Sequence, residues 1–284
     1  MENAARVSTP QSLVDNVLQL ISLPEIYLRL QQTIDDPLHT RPQVAAVVAY
    51  DPALSARVLR IANSSYYGFP RNIDTVESAV GIIGELDLRN LVLATTVIGS
   101  MNNLEYAGVD IDEFWLHSLR AGITARLIAA LVGGCDKEIM FLAGILHDLG
   151  ILVMYQQDSS LAAAINRQIN KQHQLRDQAE RELLGFDHAE VGSLLIRAWG
   201  LSEDLCQLTL CHHQYQMATE QARGSQVLSL ANQLAEHDPG LEVHDDIRYA
   251  ALMESLSVSA KSLTEVVEMA AQQCDEIRSI ILGS

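Results

Sequence analysis

Helix punctuation recurs along the whole 284-residue chain and constrains its fold more than any other feature. Thr40 and Gln43 form a capping box in front of "VAAVVAY", and Asp51 followed by Pro52 reads as an N-cap with proline in the first helical position. The pairs Asp74/Glu77 and Asp187/Glu190 repeat the cap logic. Stops are as legible. Leu23-Pro24 ends the first helical stretch and Asp36-Pro37 the next, while Gly68 and Pro70 close the segment after Asn63. Gly133-Gly134 ends a long helix begun near Asp112, and Gly200 follows Trp199 as a glycine cap. Between these marks apolar residues recur with helical period, and no run alternates as a strand would. The expectation is an all-α, multi-helical bundle of about a dozen helices with short connections. Polar segments near 102–112 and 216–226 mark soft boundaries, and no repeat of fixed period is present.

With 48% hydrophobic and 19% charged residues the chain can bury a substantial core. Its 19 Lys and Arg face 36 Asp and Glu, a formal net charge of −17. Such a surface repels phosphate backbones and anionic membranes, so neither nucleic acid nor membrane is an expected partner. Cys135, Cys206, Cys211 and Cys274 show no CxxC spacing and read as reduced thiols, the middle pair as packing on one helical face. The N-terminal "MENAARVSTPQSLVDN" carries acidic residues and no apolar h-region. The most apolar stretch, 119–134, contains Arg120 and Arg126, and no uninterrupted membrane span is expected. These features together predict a soluble, cytoplasmic protein.

Against this background "AGILHDLGIL" (143–152) is conspicuous, because His147 and Asp148 sit side by side in an apolar run. Polar groups there are costly unless satisfied. They suit a metal site, a buried hydrogen-bonded pair, or the remnant of a lost chemistry. Of nine histidines, His39, His173, His237 and His244 lie in polar surroundings and read as surface residues. His117 in "EFWLHSLRAG", His147, His188 in "FDHAEVG" and the pair His212-His213 in "TLCHHQ" lie in apolar, helical settings. A single core histidine usually bonds a backbone carbonyl. Five of them plus an aspartate fit a shared polar site, since imidazole is the commonest metal ligand and converging helices can each supply one inward ligand. Adjacent residues on a helix point about 100° apart, so for His147 and Asp148 to share one ion the long imidazole must lean toward the shorter carboxylate.

These residues stand in an order that resembles the HDOD domain, a branch of the HD superfamily. The resemblance runs through "LPEIYLRLQQTI" (23–34), "VVAYDPALSARVLRIANSSYYG" (47–68), "SAVGIIGELDLRNLVLA" (78–94), "FWLHSLRAG" (114–122), "FLAGILHDLGIL" (141–152), "ERELLGFDHAEVGSLLIRAWGLSEDL" (180–205) and "CHHQ" (211–214). It implies a helical bundle of the HD type, with an N-terminal helical subdomain over 1–110, an HD-like core over 111–240 and C-terminal helices over 241–284. In HD phosphohydrolases, helix-borne His and Asp residues hold divalent metal that activates water toward a phosphate ester. Carried over by position, His117 matches the first histidine and His147-Asp148 the namesake pair. His188 and His212-His213 match the later histidines of the two-metal HD-GYP branch.

The departures are specific. The last aspartate of the pattern falls where this chain has Asn232, Ile151 stands where HD-GYP enzymes carry lysine, and "YQMATEQ" follows "HHQ" in place of a GYP tripeptide. The resemblance thus implies a bacterial signalling or regulatory module with protein partners and little or no catalysis. The alternative is a metal-dependent phosphohydrolase of a nucleotide or phosphodiester, in which Asp148 and Arg120 would act. Iron, manganese, zinc or nickel suits imidazole-rich ligands better than magnesium. Self-association into a homo-oligomer stays open. In the N-terminal block, Asn63-Ser64-Ser65 reads as the cap of its helix, and Tyr66 and Tyr67 as packing residues or partner contacts.

Overall fold

The computed structural model describes residues 9–102, 104, 106, 108–157, 159–172, 174–237, 243 and 247–282. Among them there is no strand. The first group of helices is α1 (Pro10–Leu18), α2 (Glu25–Asp35), α3 (Arg41–Ala49), α4 (Pro52–Ala62), α5 (Val76–Ile83) and α6 (Glu85–Met101). Then come α7 (Ile111–Val132), α8 (Lys137–Leu146), α9 (Leu149–Gln157), α10 (Ser159–Gln172), α11 (Arg176–Leu184), α12 (His188–Ala198) and α13 (Glu203–Cys211). The chain closes with α14 (Ala222–Ala235), α15 (Ile247–Leu256) and α16 (Ala260–Ile281). The all-α expectation holds, with more helices than the dozen anticipated.

The caps explain most boundaries. Thr40 N–H donates to Gln43 Oε1 at 2.7 Å, and the Asp51 carboxylate accepts from the N–H groups of Ala53 and Leu54. Asp187 accepts from Glu190 N–H at 3.1 Å. Each satisfies helix-end donors that would otherwise lack partners. At α5 the expected Asp74 cap is wrong. Thr75 takes the position, in extended backbone, and its hydroxyl accepts from Ser78 N–H at 3.1 Å. Asp74 stands one residue too early. Asn63 does cap the end of α4, donating to the carbonyls of Leu59 and Ile73 and accepting from Ile73 N–H.

Helix α7 is the axle of the molecule, with α8, α14 and α16 packed around it. It meets α8 almost backbone to backbone, because a Cβ on Gly144 would lie 2.4 Å from Gly122 Cα. Helix α12 is packed by α9 and α13, and α1 returns to cover both α9 and α12. In the N-terminal group α3 packs on α2 and α5, α6 reaches α8, and α16 touches α4. The main hydrophobic core runs from Leu13 to Ile281 through Trp115 and Phe141, and Ala62, Ile73 and Ala79 form a small second cluster.

One stretch of this core bears on the expectation that no uninterrupted membrane span is present. Lys137–Gln156 is long and apolar enough to cross a membrane by length and composition, although 89% of its 18-residue window is buried inside the protein. The stretch is not one straight helix, since α8 ends at Leu146 and α9 begins at Leu149. His147 and Asp148 form the turn between them.

Candidate metal centre

That turn overturns the expectation that His147 and Asp148 sit one residue apart on a helix. His147 keeps helical backbone angles (φ −56°, ψ −36°) at the end of α8, and Asp148 follows it in the turn, where its carboxylate lies among the histidines of several elements. Around it gather His117 from the second turn of α7, His188 as the first residue of α12, and His212-His213 from the end of α13. Asn232 comes from α14. The crossing of α9 and α12 depends on Gly150, where a Cβ would lie 2.0 Å from His188 O.

The two oxygens of Asp148 divide the ring of histidines. Oδ2 lies 3.2 Å from His147 Nε2 and 3.7 Å from His117 Nε2. Oδ1 lies 3.2 Å from His188 Nε2 and 3.6 Å from His212 Nε2. His213 Nε2 stands 2.9 Å from His188 Nε2. Two groups emerge whose ligand atoms all lie within 4.8 Å of one another: His117, His147 and Asp148 on one side, and Asp148, His188, His212 and His213 on the other. All six of the residues singled out from the sequence are therefore in one place.

What lies behind the imidazoles fixes their tautomers. His147 Nδ1–H donates to Gly144 O at 2.8 Å, and His212 Nδ1–H donates to Thr209 O at 2.6 Å. That leaves a lone pair on each Nε2, and both nitrogens are buried with no hydrogen-bond partner. His188 Nδ1 donates to Glu180 Oε2 at 2.5 Å, and its backbone N–H reaches the same oxygen at 2.9 Å. A carboxylate or carbonyl holding the far nitrogen is the usual support of a metal-ligating histidine.

Burial and mutual repulsion govern the charges. Burial, then the neighbouring His213, His147 and His188, hold His212 well below the ordinary imidazole range. Burial and His188 bring His213 down to about 3. Burial also lowers His117, against the pull of Asp148. His188 goes the other way: burial opposes its proton, but Glu180 and Asp148 outweigh burial and raise it well above the usual value. For Asp148 burial favours the neutral acid, yet His147 and His188 more than offset it and keep the carboxylate ionised.

The residues fit a transition metal. Partnerless buried lone pairs cost about 1–3 kcal/mol each unless something accepts them. Ligand atoms about 2.1 Å from one ion lie roughly 3 Å apart, which is the spacing seen around Asp148. The donor set is neutral imidazole plus one carboxylate, the chemistry of iron, manganese, zinc or nickel.

Elsewhere the picture is mixed. Arg120 does not join the cluster. Its guanidinium lies beside the Cys274 thiol, in a crevice with Thr124, Leu234, His237 and Ala270. Burial pushes that thiol up to about 11, and all four cysteines are unpaired. His39 is no free surface residue, since its Nε2 pairs with Glu85 at 2.7 Å. His237 is half-buried, and His173 and His244 lie outside the described residues. Tyr66 is packed in the core with its hydroxyl donating to Glu138 at 3.1 Å. The residue that sequence reasoning missed is Glu180, a carboxylate with no solvent exposure. Its only signal is position, eight residues before His188 in "ERELLGFDH".

The HDOD domain model matches residues 20–215. An uncharacterized protein of Treponema pallidum (strain Nichols) is 24% identical over 216 residues, 74% of this chain, and the match spans only 40% of that relative's length. The solved structure of a protein from Shewanella amazonensis SB2B called "Putative phosphohydrolase" superposes with a TM-score of 0.77 at 28% identity, covering 95% of this chain and 97% of that one. An HDOD domain protein from Geobacter sulfurreducens matches at 0.72 and 24% identity, over 95% and 96%. A Marinobacter aquaeolei VT8 protein called "Putative signal transduction protein" also reaches 0.72, at 20% identity, over 98% of this chain and 66% of that one. With a family model matched over most of its length and the helical architecture shared, the chain belongs to the HDOD domain family.

Proposed function

We propose that this chain is a regulatory HDOD module built around a transition-metal centre, with little or no turnover of its own. The observation that carries the reading is the pair of buried, partnerless Nε2 lone pairs on His147 and His212, both aimed at the Asp148 carboxylate. Weak turnover follows from what surrounds them. Each ion-pair partner of Asp148 among the described residues is an imidazole, and Arg120 faces α16 instead. A phosphate ester would meet no guanidinium or ammonium beside Asp148. Asn232 supplies an amide where a hydrolytic centre would use a carboxylate. The centre's role is then to set the arrangement of α7, α9, α12 and α13 for protein partners of a signalling pathway.

Elemental analysis of untagged protein after reconstitution and exhaustive dialysis tests this. Bound iron, manganese, zinc or nickel that is lost in His147→Ala and Asp148→Ala supports the reading. Wild-type protein that retains no metal sinks it.

One observation favours a second reading, metal-dependent phosphohydrolysis: the Shewanella amazonensis SB2B protein superposes over nearly the whole chain at 28% identity. His117, His147, Asp148, His188, His212 and His213 would hold the ion, which supplies Lewis acidity toward a phosphoryl oxygen. Asp148 would be the one carboxylate among those ligands, its two oxygens facing the two groups of histidines. Absence of turnover of bis(p-nitrophenyl) phosphate by the metal-loaded protein excludes that reading.

A further inference from the structure

We infer that Glu180 is the positioning residue of the metal centre, holding His188 from behind so that its Nε2 faces the ion. The inference rests on the metal-binding reading above and adds to it a residue outside the ligand set.

The first observation is where the bonds fall. Glu180 Oε2 accepts from the His188 backbone N–H at 2.9 Å and from Nδ1–H of the same residue at 2.5 Å. One oxygen closed onto backbone and ring together fixes the turn of the imidazole as well as its tautomer. Nε2 is then the ring nitrogen left for the centre, 3.2 Å from Asp148 Oδ1 and 2.9 Å from His213 Nε2. His147 and His212 present the same atom, their Nδ1–H groups held by Gly144 O and Thr209 O. Those two supports are backbone carbonyls. Of the three, the support of His188 is the one that carries a charge.

The second observation is how that charge is balanced. Glu138 and Asp187 are buried carboxylates too, and each is paired with an arginine: Arg126 at 3.0 Å and Arg181 at 2.6 Å. Glu180 has no solvent exposure, and its one ion-pair partner among the described residues is His188. Its Oε1 is buried with no hydrogen-bond partner. A buried carboxylate without a lysine or arginine is costly as a purely structural device. Its compensating charge lies through the imidazole, on the side of the ion, and a carboxylate behind a ligating histidine raises that ligand's basicity.

The neighbouring residue completes the grip. Arg181 Nε and Nη2 both donate to Asp187 Oδ2, at 2.9 and 2.6 Å, and Asp187 caps α12. Consecutive residues of α11 thus hold consecutive residues at the start of α12, brought round by Gly185 in left-handed backbone (φ 84°). The His188 ring and the first turn of its helix are held as one unit.

Zinc affinity, measured by adding zinc chloride in competition with a chromophoric chelator, tests the assignment. Zinc serves as the probe because nitrogen and oxygen sites bind it more tightly than manganese or ferrous iron. Glu180→Gln keeps the volume and an acceptor oxygen and removes the charge, so it should bind zinc about 10–100-fold more weakly than wild type. Unchanged affinity in the folded variant would overturn the inference and leave the metal reading standing. Nitrogen-15 NMR of zinc-loaded wild type gives a second readout that needs no variant: His188 should carry its proton on Nδ1 and its zinc-induced shift on Nε2. A His188 proton on Nε2, or no zinc-induced shift on that ring, would overturn the inference as well. Wild-type protein that binds no zinc would overturn the metal reading and this inference with it.

Discussion

Arg126 Nε donates to Glu138 Oε1 at 3.0 Å with both side chains almost fully buried, so a single ion pair ties α7 to α8 beneath Tyr66. The guanidinium also donates to Tyr66 O at 3.2 Å and lies 4.0 Å from the centre of the Tyr66 ring. The N-terminal "SSYYG" segment is thereby anchored to the same helix pair that carries His117 and leads into His147. Arg126→Met strands Glu138 with only the Tyr66 hydroxyl and Lys137, whose ammonium is 3.9 Å away. Breaking a buried pair from one side typically costs about 3–5 kcal/mol, and Lys137 brings this case to about 3. Urea unfolding should show that loss. Arg126→Met with Glu138→Met should be less damaged than the sum of the single changes, and simple additivity would mean the pair is not coupled.

Gly150→Ala tests the approach of α9 to α12. The new Cβ would meet His188 O at 2.0 Å and Gly192 N at 2.8 Å, both backbone atoms that cannot swing aside. Helix α12 must move, and His188 moves with it. The expected cost is about 2–3 kcal/mol, the upper range for an overfilled core, together with weakened metal retention. Thermal melts and metal content on the same preparation check both. A stability loss with full metal retention would show that α12 shifts without disturbing the centre.

Much of this was legible from the sequence, for physical reasons that also mark its limits. The caps at Asp51 and Asp187 are local, decided within three residues, and read correctly. The cap at α5 failed because Asp74 and Thr75 are both competent, and only the backbone path chooses. The histidines were recognisable because an imidazole in an apolar helical setting needs a reason to be there. The turn at His147-Asp148 was not recognisable, since the apolar pattern continues through it from Met140 to Met154. Glu180 hid among charged neighbours in "ERELL", a pattern that reads as a solvated face, until Gly185 folds α11 back against α12. Asn232 was seen as a missing ligand. Its engagement of His117, 115 residues away, belongs to tertiary structure alone.

Asp87 supplies a pH dependence. Burial, then the nearby Glu138 and Asp136, raise its carboxyl from 3.8 to about 6, against Lys137 and Arg126. The folded state therefore binds this proton more tightly than the unfolded chain does. The stability so gained is fully present below about pH 4 and is lost as pH rises through 6. At neutral pH the ionised carboxylate is a net cost, about 1 kcal/mol after allowing for its partial exposure to solvent. Asp87→Asn should stabilise the protein by about that amount at pH 7.5, and by roughly half as much at pH 5. Urea midpoints at the two pH values measure it, and a gain that does not change with pH would assign the effect to packing.

Metal removal should separate a working centre from an inherited one. If the lone pairs of His147 and His212 are meant for an ion, the metal-free protein carries two unsatisfied buried acceptors. Loading to about 100 times the dissociation constant then stabilises by about 2.7 kcal/mol. For a chain of this size that is roughly 5–10 °C in Tm. His212→Leu sharpens the test, because it removes one unsatisfied nitrogen at similar volume while costing the bond to Thr209 O. Without metal its stability should lie within about 1 kcal/mol of wild type, since the two effects oppose each other. With metal it should gain little where wild type gains fully. Equal melting temperatures for wild type with and without metal, measured by calorimetry, would mean that the histidine ring is held by the fold alone.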